Sequence, residues 1–189
     1  METENKIIKF LIETRGEPTI RELADKIKSD YKIVHTAVMR LLEKGILTSK
    51  KIGKSTQLKL LNNLSKEVID VEFERRENLL KDKNLRLMLE TIKENIGSVN
   101  FILILFGSYA KNKSNKNSDI DIMFIIPNLK LEKNIEQAIS ILPLKIHNLV
   151  FTEEQFREMK DSKKLNVVQE AIKNNIILFG IEQYYEILK

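Results

Sequence analysis

The chain has 189 residues, of which 42% are apolar, which is enough to bury the core of one ordinary domain or two small ones. It has no run of 18 apolar residues, and its first residues lack the basic start and apolar stretch of a signal peptide, so we expect a cytoplasmic protein with no membrane partner. Because cysteine is absent, any metal site must use carboxylates or one of the two histidines.

The excess positive charge lies near the N-terminus. Residues 1–64 hold 13 Lys and Arg against 8 Asp and Glu, whereas residues 65–189 hold 19 of each. Residues 44–66 contain six lysines and no acidic residue. Such a basic segment attracts a polyanion, but a solvated lysine-rich surface has the same composition. Charge alone leaves both interpretations open.

The first third of the sequence predicts three helices. Apolar residues at helical spacing define a first helix over residues 6–15. Thr19, with Glu22 three residues later, is typical of a capping box that starts a second helix. Asp30 is a candidate N-cap for a third helix, which Gly45 ends. Only a short turn therefore separates the second and third helices.

Two strand-like runs follow, over residues 46–51 and 56–61, and Gly53 between them suits a tight hairpin. Three helices followed by a basic hairpin resemble the winged helix-turn-helix DNA-binding domains, over residues 6–61. The resemblance implies a third helix in the major groove of double-stranded DNA and a hairpin on its backbone or minor groove. Such domains often pair as homodimers, and the same fold can instead serve protein contacts only. The implied DNA-binding residues are Lys32, Thr36 and Arg40 of the helix and Lys50, Lys51 and Lys54 of the hairpin.

The remaining sequence mixes amphipathic helices with buried strands. Continuous β-branched and apolar runs predict buried strands at residues 99–106 and 120–126. Another strand is predicted at residues 144–151, and helical spacing predicts helices between and after the strands. The predicted fold class is therefore α+β: an N-terminal winged helix-turn-helix domain followed by a small α/β domain. The predicted boundaries are 1–64 for the first domain, 65–84 for a helical connector and 85–189 for the second domain.

Two aspartates mark the start of one predicted strand. Asp119 and Asp121 are two residues apart in a strand pattern, so both side chains face the same way, while the isoleucines between and after them face the core. Paired carboxylates repel each other, and a bound divalent cation, for which Mg²⁺ is well suited, is the usual reason to keep them. Gly107 and Ser108 end the preceding strand, where open backbone N–H groups and a hydroxyl suit a phosphate.

The pattern of Gly107-Ser108, ten residues and then Asp119-Ile-Asp121 resembles the minimal nucleotidyltransferases of the DNA polymerase beta superfamily, over about residues 85–189. The resemblance implies transfer of a nucleoside monophosphate from a nucleoside triphosphate, commonly ATP, to a hydroxyl, with Mg²⁺. Gly107 and Ser108 would bind the triphosphate, and Asp119 and Asp121 would be catalytic and bind the metal. Some members modify a partner protein, so the acceptor could be a protein.

One expected group is missing from the pattern. The family places a third carboxylate on the next strand, where this sequence has His147 and Asn148. Neither residue replaces a carboxylate that acts as general base. The alternative is therefore a transcriptional regulator whose impaired nucleotidyltransferase-like domain senses nucleotide or binds a partner.

Overall fold

The structure, a computed structural model, describes residues 3–53, 55–97, 100–111, 113–115 and 118–189. The chain divides into two compact units, Met1–Val71 and Glu72–Leu188. This division falls inside the segment 65–84 that the sequence analysis assigned to a connector, within a continuous helix. None of the described helices is long and apolar enough to cross a membrane.

The first unit contains three helices followed by a two-stranded antiparallel hairpin. The Thr19 hydroxyl accepts from the N–H of Glu22 and the Glu22 carboxylate accepts from the N–H of Thr19, which confirms the predicted capping box. Asp30 caps the third helix, and Gly53 has the positive φ, 59°, that the hairpin turn requires. These elements are α1 (Thr3–Thr14), α2 (Ile20–Ile27), α3 (Tyr31–Glu43), β1 (Leu47–Ile52) and β2 (Ser55–Leu60). The next helix, α4 (Lys66–Leu79), contains the division between the two units.

The second unit is built on a sheet of four strands. The central strand β3 (Ile102–Phe106) pairs antiparallel with β4 (Ile120–Ile126) and β6 (Asn175–Phe179), and β4 pairs in parallel with β5 (Ile146–Thr152). The predicted mixture of helices and strands is confirmed. Strands β3 and β4 are buried as predicted, whereas the residues of β5 are only partly buried or exposed. The helices are α5 (Lys83–Ile96), α6 (Gly107–Ala110), α7 (Glu132–Ser140), α8 (Glu153–Asp161), α9 (Val167–Lys173) and α10 (Ile181–Leu188), with a 3₁₀ turn at Leu129–Leu131.

Helices cover both faces of this sheet. Ile120 and Ile122 of β4 lie in a hydrophobic cluster with α5 and α7, as the alternation in the sequence predicted. The odd-numbered residues of β4 face the other side of the sheet. On that side α8 contacts β4, and α10 contacts β3 and β6. Asp121 lies on this second face, at the N-terminal end of β4, where β3 ends next to it.

Candidate functional site

Gly107 is the residue that directly follows β3, and it lies against Asp121 of the neighbouring strand. Its φ is 69°, in the region that favours glycine. A Cβ built on Gly107 would collide with Oδ2 of Asp121 and lie 3.0 Å from its Cγ. The backbone at the end of β3 can therefore approach this carboxylate so closely only because residue 107 has no side chain.

The next strand brings a histidine to the same carboxylate. In the parallel pairing of β4 with β5, Asp121 lies opposite His147, and Nδ1 of His147 is 3.1 Å from Oδ1 of Asp121. The Asp121 side chain is 26% exposed and that of His147 is 61% exposed. The two oxygens of Asp121 thus have different neighbours: Oδ2 lies beside Gly107, directly after β3, and Oδ1 lies beside His147 of β5.

Asp119 and Ser108 flank this carboxylate less tightly. Asp119 is exposed and precedes β4, which begins at Ile120 with an N–H donated to the carbonyl of Lys145 at 2.8 Å. Ser108 is half-buried in the single turn α6, and its carbonyl accepts from the N–H of Lys113. Among the predicted site residues, Gly107 and Asp121 are in close approach, whereas Asp119 and Ser108 lie one or two residues away in the chain.

Of the two residues that stand where the resemblance implies a third carboxylate, only one faces Asp121. Asn148 pairs with Ile122, so it faces the opposite side of the sheet from Asp121, and only His147 faces the aspartate. Glu153 and Glu154 occupy the first turn of α8, whose cap is a box formed by Thr152 and Gln155. Within the described part of the chain, no three His, Cys, Asp or Glu side chains already form a group that could hold a metal.

A buried polar network supports strand β6 next to this site, and no pattern in the sequence predicted it. Glu72 is fully buried and its carboxylate accepts from Arg75 at 2.5 Å and from the hydroxyl of Tyr185 at 2.9 Å. Arg75 also donates to the backbone carbonyl of Asn175 at 2.7 Å. Asn175 pairs with Phe106, the residue before Gly107. The arginine therefore fixes the start of β6 next to the end of β3.

The candidate DNA-binding residues lie on the surface of the first unit. This holds for the five candidates that the structure describes, whose side chains are exposed; the sixth, Lys54, lies outside the described residues. A groove of about 420 Å³ is lined by the three candidates on α3, and Thr3 and Glu4 of α1 also line it. Glu4 is almost buried; it accepts from Lys44 at 3.0 Å and lies 3.8 Å from Nη1 of Arg40. The exposed candidates in the described chain are Lys32, Thr36 and Arg40 on α3 and Lys50 and Lys51 on β1.

Comparison with known proteins identifies the second unit. Neither the curated proteins nor the solved structures gave a significant match. Residues 88–184, more than half of the chain, match the family model described as polymerase beta, nucleotidyltransferase. The matched range includes the whole sheet together with Gly107, Asp119, Asp121 and His147. The chain therefore belongs to the polymerase beta nucleotidyltransferase family.

Proposed function

We propose that this protein transfers a nucleoside monophosphate from a nucleoside triphosphate, ATP in the first instance, to a hydroxyl group. The observation that carries the proposal is the close approach of the Gly107 backbone to the Asp121 carboxylate, in a chain of this family. This juxtaposition brings the backbone of a residue without a side chain, directly after β3, next to a partly exposed carboxylate. A triphosphate needs both features, an open backbone for its oxygens and a carboxylate that holds the accompanying cation.

Each candidate residue has a role in this proposal. The backbone of Gly107 and the hydroxyl of Ser108 bind phosphate oxygens, and Asp119 and Asp121 hold a divalent cation. If carboxylate oxygens are its only protein ligands, the preferred cation is Mg²⁺. A cation bound there would neutralise negative charge on the phosphates. The acceptor oxygen forms a bond to the α-phosphorus, the bond from that phosphorus to the β-phosphate oxygen breaks, and pyrophosphate leaves. The proton of the attacking hydroxyl passes to a carboxylate oxygen of one of the same two aspartates, since the third carboxylate is missing.

Transfer of label from α-labelled ATP tests this function. The protein is incubated with the nucleotide, Mg²⁺ or Mn²⁺, and a cell extract as a source of hydroxyl acceptors. We expect labelled product with the wild type and with Asp161→Asn, a matched change at an exposed aspartate of α8, but not with Asp121→Asn. Absence of label with the wild type under both metals contradicts the proposal.

We also propose that the first unit is a winged helix-turn-helix domain that binds double-stranded DNA. Three helices and a hairpin, joined by a bridge between Thr19 and Gln57, support this reading. The lysines and the arginine exposed on α3 and β1 supply the positive surface that phosphate contacts need. A DNA-bound homodimer is compatible with this proposal, since such domains commonly pair on two half-sites.

Duplex binding at several salt concentrations tests the DNA proposal. The variant Lys50→Ala/Lys51→Ala/Lys54→Ala should bind more weakly, and its slope of log affinity against log salt should be smaller by about 2 to 3, since each phosphate contact contributes roughly 0.9. A control variant, Lys163→Ala/Lys164→Ala, removes exposed lysines from the second unit. Equal binding by the wild type and the triple variant contradicts the assignment of the hairpin.

In a second candidate function, the second unit binds nucleotide but does not catalyse nucleotidyl transfer. The observation that favours it is that a histidine, not a carboxylate, faces Asp121 from β5. In this case the second unit is a nucleotide sensor or partner-binding module of a DNA-binding regulator. Metal-dependent ATP binding that Asp121→Asn abolishes, without any labelled product, supports this function over the first.

A further inference from the structure

The paired donor atoms of Asp121 and His147 form a further feature of the proposed metal site. Oδ1 of Asp121 and Nδ1 of His147 are 3.1 Å apart, on neighbouring strands held in register by the parallel pairing. Both side chains project from the same face of the sheet. The inference below rests on the proposed function, because it concerns the cation that the nucleotidyltransferase site would hold.

The separation of these atoms suits two adjacent ligands of one metal ion. Imidazole nitrogen and carboxylate oxygen bind divalent ions at about 2.0 to 2.2 Å. Two such ligands at a right angle are about 3.0 Å apart, close to the 3.1 Å seen here. A cation could thus enter between the atoms in place of their hydrogen bond, with little movement of either strand.

An imidazole ligand changes which cation the site prefers. Mg²⁺ takes hard oxygen ligands, whereas imidazole suits first-row transition metals, whose affinity for such sites rises from Mn²⁺ towards Cu²⁺. The histidine occupies the position where an oxygen-only site would have its third carboxylate. Since the described residues hold no preassembled group of three ligands, phosphate oxygens and water would complete the coordination.

We propose that His147 is a metal ligand together with Asp121, and that it shifts the cation preference of the site from Mg²⁺ towards transition metals such as Mn²⁺. Exposure of His147 leaves room for the nucleotide and water. The hydrogen bond to Asp121 holds the imidazole in place before a cation arrives. The histidine thus replaces the missing carboxylate as a metal ligand.

Pulsed electron paramagnetic resonance of bound Mn²⁺ tests this directly, because a directly coordinated imidazole gives a ¹⁴N coupling. The experiment uses the full chain without a purification tag, in a buffer without amines. The chain has only one other histidine, the exposed His35, so His35→Ala is a matched control. We expect the ¹⁴N coupling in the wild type and in His35→Ala, and its loss in His147→Ala and His147→Asp.

Metal affinities give a second measurement. The ratio of the Kd for Mg²⁺ to the Kd for Mn²⁺ should fall at least about tenfold in His147→Asp relative to the wild type, because a carboxylate suits Mg²⁺ better than an imidazole does. Mutation of groups that only hydrogen-bond to metal ligands already changes metal affinity by about 10- to 100-fold. Circular dichroism checks that the variants are folded. Absence of ¹⁴N coupling in the wild type, its persistence in His147→Ala, or an unchanged affinity ratio overturns the proposal.

The outcome is independent of the transfer reaction. A wild type that shows ¹⁴N coupling but no nucleotidyl transfer supports the ligand assignment and contradicts the proposed function. Conversely, Mg²⁺-dependent transfer without any ¹⁴N coupling supports the function and overturns the role of His147.

Discussion

The Gly107 backbone lies so close to Asp121 that a Cβ at residue 107 would be 3.0 Å from Cγ of the aspartate and 3.2 Å from its Cβ. The positive φ of Gly107 adds a second requirement for glycine. The close approach between the end of β3 and the start of β4 therefore requires glycine at residue 107, because a side chain there must displace the carboxylate.

We expect Gly107→Ala to abolish metal-dependent ATP binding, because the new methyl group occupies the space of the Asp121 carboxylate. Gly97→Ala is the matched control: Gly97 also has a positive φ, 75°, but a Cβ there would meet nothing within 4 Å. The control should lose about 1 to 3 kcal/mol of stability from backbone strain and retain ATP binding. Calorimetric titration with ATP and metal measures binding, and thermal unfolding measures stability. ATP binding by Gly107→Ala equal to that of the control contradicts this role.

The buried ion pair of Glu72 and Arg75 predicts an asymmetric mutational response. Glu72→Gln removes the negative charge of this buried ion pair and should lower the free energy of unfolding by about 3 to 5 kcal/mol. The double variant Glu72→Met/Arg75→Met should lose less, because no uncompensated charge remains. Urea unfolding provides the measurement, with the exposed Asp161→Asn as control. A loss in Glu72→Gln no larger than in the control contradicts this account.

The capping box of α2 predicts a pH-dependent stability difference. Hydrogen bonds from Thr19 lower the pKa of Glu22 below its ordinary value of 4.5. Its stabilising contribution is therefore complete above pH 4.5 and is lost as the pH falls through the lower value in the folded protein. Glu22→Gln should have a lower Tm than the wild type at pH 7, and the two should converge at more acidic pH. The exposed Glu90→Gln serves as control, and a Tm difference that is constant with pH contradicts the prediction.

We expect the mutation Glu4→Gln to increase the affinity for duplex DNA. Its carboxylate lies beside Arg40 and Lys44 and lines the groove that Lys32 also lines. Glu4→Gln removes a negative charge near the proposed phosphate contacts, so the Kd for duplex DNA should fall roughly threefold at low salt, and less at high salt. Fluorescence anisotropy with labelled duplex measures the change, with Glu90→Gln as a matched charge change elsewhere. Weaker binding by Glu4→Gln contradicts the placement of DNA in this groove.

Features set by neighbouring residues could be predicted from the sequence. Thr19, Glu22 and Asp30 form their caps within three residues of the chain, so their hydrogen bonds depend on local spacing alone. The strand Ile120–Ile126 has the predicted bounds because an apolar run that only Asp121 interrupts, between polar segments, leaves few alternatives. The aspartate pattern likewise identified the family, which the match over residues 88–184 confirms.

Features set by distant residues could not be predicted. Glu72 and Arg75 stand in a charged helical run that is typical of a solvated connector, yet both are buried. Their partners Asn175 and Tyr185 are 100 or more residues away, and only the fold brings these groups together. The sequence likewise could not show whether His147 or Asn148 takes the place of the expected third carboxylate, because this depends on the register of β4 and β5. In the observed register His147 faces Asp121.

The strand that carries His147 is at one edge of the four-stranded sheet, and this side chain projects largely into solvent. An edge position of this kind can accept a different amino acid without repacking the interior, since few buried contacts depend on it. Protein engineers could therefore build a library at residue 147 alone and compare how imidazole, carboxylate, amide and aliphatic groups act beside one fixed aspartate. The remaining scaffold would stay constant across such a series, so differences among its members would report the chemistry of a single side chain.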